Sequence, residues 1–474
     1  MADLSTIPAE MISMILPWIL PEDLENFAAC CKAVHQQANR KKGANGRSLL
    51  QEHRILIRNY SVLSDIKEVG PYFRALKADG RVARYVRKMD FFGPSHQEPP
   101  EERLVEELLG EEDEGLEDLF EDREIHQIVV SAAKIIYMDD ILADRCMGSW
   151  GRKPDDFQLQ IKRTMEMVCS NTNLAIAILL PLLPNVNVLF SSIDNFGWTR
   201  HWIRNLANSS VPIAQQLKEV NLRSMDPKCT LPEMLCLTAI PSLQTLSVWH
   251  RGPPRPRVVP HPRPPIAPPL PSQRQRYHKN NVSNLKLWPC QLELWDLYDF
   301  LESFDNLQSF YFLESASRFE LFNPMPIFTI LLKHSENTLT KFSLSTWSGR
   351  ANAKPPFGQL KVLKELYVDW TMLLPRPYYA GENWGPLLPQ SLETLTVRDH
   401  EDWSARWIYE RFGSLVEDLV SSKTRGVLGI KDFSITPKHR ASFSYAFEGV
   451  QELESSYRIR CGAVGLGFSF KNPE

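Results

Sequence analysis

The chain has 474 residues, a formal net charge of −3 and a pI of about 6.4. Hydrophobic residues make up 43% and charged residues 23%, which is the composition of a globular protein with a buried core. Nothing in this charge balance favours nucleic acid or an anionic membrane as a partner. The length allows two to four domains or one elongated array of repeats.

Two short helices with apolar faces are predicted at the N-terminus. Pro8 suits an early helical position, Glu10 places an acid in the first turn, and Pro17 predicts a turn before Pro21 opens a second helix. The two apolar stripes are Met11, Ile12, Ile15 and Leu16, then Leu24, Phe27, Cys31 and Val34. Two helices of this length cannot shield both stripes from water, so we expect a third surface to cover them.

The same residues resemble the F-box motif, with Ile7 in place of the usual leucine and Val34 in place of the usual aromatic residue. The matching positions are Ile7, Pro8, Glu10, Met11, Ile12, Ile15, Leu16, Ile19, Asp23, Leu24, Phe27, Cys30, Cys31, Lys32 and Val34. The resemblance implies that the apolar stripe docks into a groove of a Skp-type adaptor, and through it meets a cullin. The alternative is a helical hairpin that only caps the domain after it.

The resemblance assigns the adaptor contact to ten residues. They are Ile7, Pro8, Met11, Ile12, Ile15, Leu16, Leu24, Phe27, Cys31 and Lys32. Because the F-box interpretation needs an accessible apolar surface, we expect these side chains to be open to solvent until the adaptor covers them.

An internal repeat of the form apolar-x-x-apolar-x-apolar follows, with alternation typical of a strand. Its ten copies begin at Val86, Val186, Leu217, Leu243, Val282, Leu307, Leu339, Leu363, Leu392 and Ile430. Helices are predicted between some of them, at 232–240, 292–304, 326–334 and 403–421. One strand and one helix per unit predict a solenoid, in which each unit covers its neighbour's apolar face.

The pattern resembles the leucine-rich repeat, but only Cys290 fits the Asn/Cys step that stitches regular arrays. We therefore expect an α/β fold: an N-terminal F-box helical unit, then an irregular leucine-rich-repeat-like solenoid with a curved parallel sheet. The alternative is a compact α/β domain. The expected boundaries are 1–45 for the F-box unit, 46–81 for a helical linker, 82–435 for the repeats and 436–474 for a C-terminal cap that includes a strand.

Two segments do not fit the repeat. Residues 98–124 hold 14 acids against two arginines and predict a solvated insert. Residues 251–276 hold ten prolines and six arginines and no acid, which predicts an extended loop insertion. A binding role is possible for either segment, but an insertion that the fold tolerates is the favoured interpretation.

In a strand–helix solenoid, alternate strand residues point away from the helices and form a binding wall. The candidates for binding a target protein on this wall are Arg223, Trp249, Trp288, Tyr311, Tyr367, Asp369 and Arg398. Tryptophan, tyrosine and arginine dominate the energetics of many protein interfaces. The alternative is that the aromatic rings tuck under neighbouring loops as additional core.

No catalytic motif, metal-ligand spacing or dinucleotide loop is present, so we expect a non-catalytic protein with no cofactor and no metal. The eight cysteines lack a disulfide framework and favour a cytoplasmic or nuclear protein. The longest apolar run, 174–190, is broken by Pro181 and Pro184, and the N-terminus lacks the basic region of a secretory signal, so no membrane partner is expected.

These features together predict the substrate-recognition subunit of an SCF-type ubiquitin ligase. In this interpretation the N-terminal helices bind the Skp-type adaptor and the repeats bind an unidentified target protein. The alternative is a non-catalytic repeat scaffold unrelated to ubiquitin.

Overall fold

The computed structural model describes most of the chain, in two compact units, Met1–Arg223 and Ser224–Glu474. The described residues are 7–16, 19, 21–40, 46–64, 66–91, 122–135, 157–193, 215–224, 234–250, 280–290, 294–314, 323–346, 353–373, 388–399, 405–437 and 450–470. The acidic insert, apart from its last three residues, and the whole proline-rich insert lie outside these ranges.

The first unit contains eight α-helices and four strands in its described part. The helices are α1 Ala9–Ile15, α2 Pro21–Cys30, α3 Lys32–Arg40, α4 Leu49–Tyr60, α5 Val69–Ala78, α6 Arg123–Ile135, α7 Phe157–Ser170 and α8 Thr172–Leu179. The strands are β1 Val62–Leu63, β2 Lys88–Asp90, β3 Val188–Ile193 and β4 Glu219–Ser224. The last residue of β4 falls just beyond the division between the units. The strand order follows the sequence, and β1–β2 and β2–β3 pair in parallel.

The second unit continues the same alternation of strands and helices. Its strands are β5 Thr245–His250, β6 Asn284–Cys290, β7 Ser309–Glu314, β8 Lys341–Thr346, β9 Glu365–Asp369, β10 Thr394–Asp399, β11 Asp432–Pro437 and β12 Gly467–Phe470. Its described α-helices are α9 Leu294–Leu301, α10 Met325–Ser335, α11 Trp370–Leu373, α12 Ala405–Thr424 and α13 Val450–Gly462. Every pairing from β5 to β12 joins consecutive strands in parallel.

The ten strands predicted from the repeat are confirmed. Each strand from β2 to β11 begins two residues after the first apolar residue of its motif. That first residue is at most 2% exposed in every copy, as Leu307 at 0% illustrates. Sequential order with parallel pairing inside each unit is compatible with the expected strand–helix solenoid.

The turns before the strands replace the missing asparagine ladder with backbone and hydroxyl bonds. The carbonyl of Gln308 accepts hydrogen bonds from the amides of Thr340 and Lys341 at 2.8 and 3.0 Å and from the Thr340 hydroxyl at 3.0 Å. Two copies further along, the Ser391 hydroxyl donates to the carbonyl of Leu363 at 2.8 Å. Neighbouring copies are therefore tied together by atoms that the motif does not specify.

The core of the second unit holds a cluster of phenylalanines. The Phe342 ring on β8 lies 5.9 Å from Phe310 on β7, 6.5 Å from Phe328 on α10 and 5.8 Å from Phe357 in a 3-10 turn. All four side chains are about 1% exposed. The second residue of β7 and of β8 (Phe310 and Phe342) thus faces the helices, as the alternation of the strands predicts.

Three expectations need correction. Residues 46–81 are more than a linker, because they contain β1, a two-residue strand that is too short to show alternation. The segment predicted as a helix at 232–240 is a 3-10 helix, Leu235–Ala239, in its described part. Between β2 and β3, helices α6, α7 and α8 replace the single helix of a regular repeat. The predicted C-terminal strand is confirmed as β12.

Candidate protein-interaction surfaces

Helices α1 to α4 enclose a small core. Its buried members are Ile12, Leu16, Leu24, Ala28, Val34, Ala38 and Leu50, the last from α4. Helix α4 begins with a capping box, in which the Ser48 hydroxyl accepts from the Gln51 amide and the Gln51 side chain accepts from the Ser48 amide. It is also linked to α2 by an ion pair of 2.7 Å between Arg54 and Glu25. The Arg54 hydrogen bond lowers the pKa of the Glu25 carboxyl.

The ten residues assigned to adaptor binding fall into three groups. Ile12, Leu16 and Leu24 are buried, at 1%, 1% and 4% exposure. Ile7, Ile15, Phe27 and Cys31 are partly buried, and Pro8, Met11 and Lys32 are exposed. The stripe is therefore not fully open as expected, because Ile12, Leu16 and Leu24 are buried in a core that includes residues of α3 and α4.

The accessible apolar surface of these helices lies on α1. Met11 is 54% exposed and Met14 is 72% exposed, and their spacing of three residues places them on one face. Sequence reasoning missed Met14 because it lies outside the stripe formed by Ile12, Ile15 and Leu16. The sequence did contain a sign of this exposed surface. Met14 is an additional apolar residue on a helix whose buried stripe is already formed by Ile12, Ile15 and Leu16.

Three aromatic side chains stack across neighbouring strands of the second unit. Trp249 on β5 and Trp288 on β6 have ring centroids 4.9 Å apart at 27°, and Trp288 and Tyr311 on β7 have centroids 4.4 Å apart at 38°. Trp249 is 40% exposed, and the other two are half-buried. We call Trp249, Trp288 and Tyr311 the aromatic strip.

The pairing of β6 with β7 shifts between Leu287 and Cys290, beside the strip. Pro289 lies within this shift, and proline has no amide hydrogen to give to the strand ladder. Trp288, the residue before the proline, is the ring that contacts both of its neighbours. The proline therefore accounts for the local irregularity at the centre of the strip.

Asp369 and Arg398 belong to a different environment from the strip. Asp369 is 1% exposed, and its carboxylate accepts hydrogen bonds from the Ser345 hydroxyl at 2.8 Å, the Thr346 hydroxyl at 3.1 Å and the Thr346 amide. Arg398 donates to the same Ser345 hydroxyl at 3.1 Å. Asp369 is therefore a structural tie between β8 and β9, and its assignment as a target-binding residue is wrong.

The remaining candidates divide between the two units. Tyr367 on β9 is half-buried and in register with Ser343, which in turn is in register with Tyr311 of the strip. Arg223 is half-buried near the end of β4 in the first unit. The structure thus brings together Trp249, Trp288 and Tyr311, continues the row toward Tyr367, and leaves Arg223 in a separate unit.

No group of three or more histidine, cysteine or acidic side chains that could hold a metal ion is present among the described residues. In the same ranges no single helix is long and apolar enough to cross a membrane. One bent pair, 162–169 with 172–182, passes by length and composition at an angle of 104°. Residues 173–179 of that pair are buried inside the unit.

Comparison with known protein-family models finds no match to the chain, and comparison with curated proteins finds none either.

Proposed function

We propose that the chain is the substrate-recognition subunit of an SCF-type ubiquitin ligase. The N-terminal helices bind a Skp-type adaptor, and the strand face of the second unit binds a target protein. The chain itself performs no chemistry. It holds the target near a ubiquitin-conjugating enzyme, which raises the effective concentration of the reacting groups. Such a subunit works in the cytoplasm, the nucleus or both.

The observation that carries the proposal is the form of the N-terminal helices. They hold a small core of their own and still leave the apolar side chains of Met11 and Met14 exposed on α1. A flexible thioether side chain adapts well to a partner groove. A helix that served only as a cap would have no need of two exposed methionines on one face. This surface and the F-box-like order of residues support the same interpretation.

Co-expression with a Skp-type adaptor tests the proposal. We expect a stable 1:1 complex on size-exclusion chromatography. Replacing both methionines (Met11→Asp with Met14→Asp) should weaken binding about tenfold or more, because a charge would then enter the apolar contact. A charge at the buried Ile12 is a poor probe, since it would disrupt the N-terminal core itself.

The matched control is Ile459→Asp on α13, which changes an exposed apolar side chain (74% exposed) in the second unit. This variant should bind the adaptor as the unchanged chain does. If the unchanged chain is monomeric and ignores the adaptor, the ligase proposal is wrong. The second candidate, a repeat scaffold whose N-terminal helices are only a cap, would then stand, because the aromatic strip supports protein binding in either case.

A further inference from the structure

We propose that the aromatic strip binds an extended acidic peptide segment of the target protein. A proline or aromatic ring of that segment lies against the indole rings, and an acidic group meets Lys286. This inference deepens the proposed function, because it takes the target-binding face as given and names the chemistry of what binds there.

The strand face around the aromatic strip carries one positively charged residue in its described part. Nine alternate positions of β5, β6 and β7 share the face of the strip: Thr245, Ser247, Trp249, Asn284, Lys286, Trp288, Ser309, Tyr311 and Leu313. Lys286 is the single charged residue among these nine. It lies in register between Ser247 and Tyr311 and makes no ion pair with any described residue. These nine positions therefore carry a formal charge of +1, which favours an acidic partner.

The neighbouring strands differ in this respect. On β8 and β9 the corresponding face carries Lys341, and the Glu365 carboxylate lies 2.7 Å from its ammonium group. A lysine that is already paired offers little to a ligand carboxylate. Among the described residues Lys286 thus has no ion-pair partner whereas Lys341 has one, and the two residues form a natural comparison.

Unsatisfied hydroxyl groups supply an independent observation. Ser247 is 1% exposed and its Oγ has no hydrogen-bond partner, and the Ser343 Oγ is likewise buried without one. They flank Lys286 and Tyr311 in the same row. A buried polar atom without a partner costs free energy. Both oxygens are covered in the free chain, so an extended peptide backbone that displaces the covering side chains and supplies the missing bond would recover part of that cost.

Single-stranded nucleic acid also stacks on aromatic rings, but it needs a basic groove that follows several phosphates. One lysine among the nine positions does not provide that groove, and the chain carries a net charge of −3. A peptide with one ring and one acid fits the available contacts better.

An array of immobilised 12-residue peptides tests the proposal with the full chain in complex with its adaptor, or alone if no complex forms. Each peptide carries a proline, an aromatic residue or, for comparison, an alanine, followed within three positions by glutamate, phosphoserine, glutamine or lysine. We expect at least tenfold stronger binding to the acidic members than to the lysine members. Lys286→Glu should reverse this preference, and Trp288→Ala should remove the dependence on the ring.

Lys341→Glu is the matched control and should leave the preference unchanged. Thermal unfolding confirms that each variant is folded. The proposal is overturned by equal binding to all charges, by a Lys286→Glu variant that keeps the acidic preference, or by tighter binding to a labelled poly-dT oligonucleotide. Binding to the array is scored separately from adaptor binding, so a failure of the ligase proposal is distinguishable from a failure here.

Discussion

The carboxylate of Asp369 satisfies three donors in a buried site between β8 and β9. Asp369→Ala would leave the hydroxyls of Ser345 and Thr346 and the Thr346 amide without their acceptor. We expect a loss of about 3 kcal/mol in the free energy of unfolding, measured by urea denaturation. Asp369→Asn keeps one acceptor oxygen and should cost less.

The control for this prediction is Glu365→Ala, which removes an acid from the same strand. Its ion pair with Lys341 is about half exposed on both sides. Exposed pairs contribute about 0–1 kcal/mol, so this variant should unfold close to the unchanged chain. Similar losses for the two variants would show that Asp369 is not the structural tie described above.

His53 predicts a dependence of stability on pH. It is 1% exposed, its Nδ1 lies 3.1 Å from the Tyr85 hydroxyl oxygen, and its Nε2 has no partner. Desolvation lowers the pKa of His53 below the ordinary value of 6.5. As the pH falls, His53 therefore takes up a proton in the unfolded chain before it does so in the folded chain. The stabilisation is complete above pH 6.5 and declines as the pH falls through the lowered folded value.

We expect the urea midpoint to drop less between pH 7.5 and pH 5.5 in His53→Gln than in the unchanged chain, because glutamine cannot titrate and can still pair with Tyr85. Burial also lowers the pKa of His126, so some pH dependence should persist in this variant. An identical drop in both proteins would contradict the assignment to His53.

At the scale of elements, Phe342 joins β8 to helix α10 and to the 3-10 turn Phe357–Gln359. Removing its ring leaves a cavity between three elements that cannot easily close. Phe342→Ala should cost about 3–5 kcal/mol, whereas Phe342→Leu, which fills more of the space, should cost about 1–2 kcal/mol. Urea denaturation of the two variants provides the comparison, and equal costs would mean that the elements move together to fill the gap.

The strands could be predicted from the sequence because burial imposes a fixed spacing on them. Leu307, Leu339 and Leu363 each precede their strand by two residues, and each is fully buried. The very short strand β1 carried no such signal, since two residues cannot alternate. The environment of Asp369 could not be predicted either, because its partners Ser345 and Thr346 lie on another strand and their register is fixed only by the fold.

The candidate surfaces could likewise be predicted only in part from the sequence. The alternation placed Trp249, Trp288 and Tyr311 on one face, but their contact depends on the pairing of three strands. On α1 the apolar residues could be identified from the sequence. Which of them are buried (Ile12) and which are exposed (Met11) could not. That distinction required the positions of α3 and α4.

At the scale of the whole molecule, β12 is the last strand in the order of the described sheet and covers the edge of β11. Strand β12 pairs with β11, and its Phe468 ring lies 5.6 Å from Phe433 and 5.5 Å from Tyr457 of α13. A chain that ends at residue 449 would lack both α13 and β12, and it would expose the hydrogen-bonding edge of β11 with Phe433 beside it. Exposed edges of this kind promote association between chains.

We therefore expect the chain truncated at residue 449 to form large particles in light scattering. A chain that lacks only residues 471–474 should stay monodisperse at the same concentration. Monodisperse behaviour of both chains would show that β12 is dispensable as a cover for the sheet.

The close approach of Trp249 and Trp288 has an optical consequence. Two indole chromophores with centroids 4.9 Å apart, inclined at 27°, couple their electronic transitions. They should give the native chain a pair of ultraviolet ellipticity bands of opposite sign. A bound peptide that separates or tilts the two indole rings would alter those bands. Circular dichroism would then report binding at this surface without any added label.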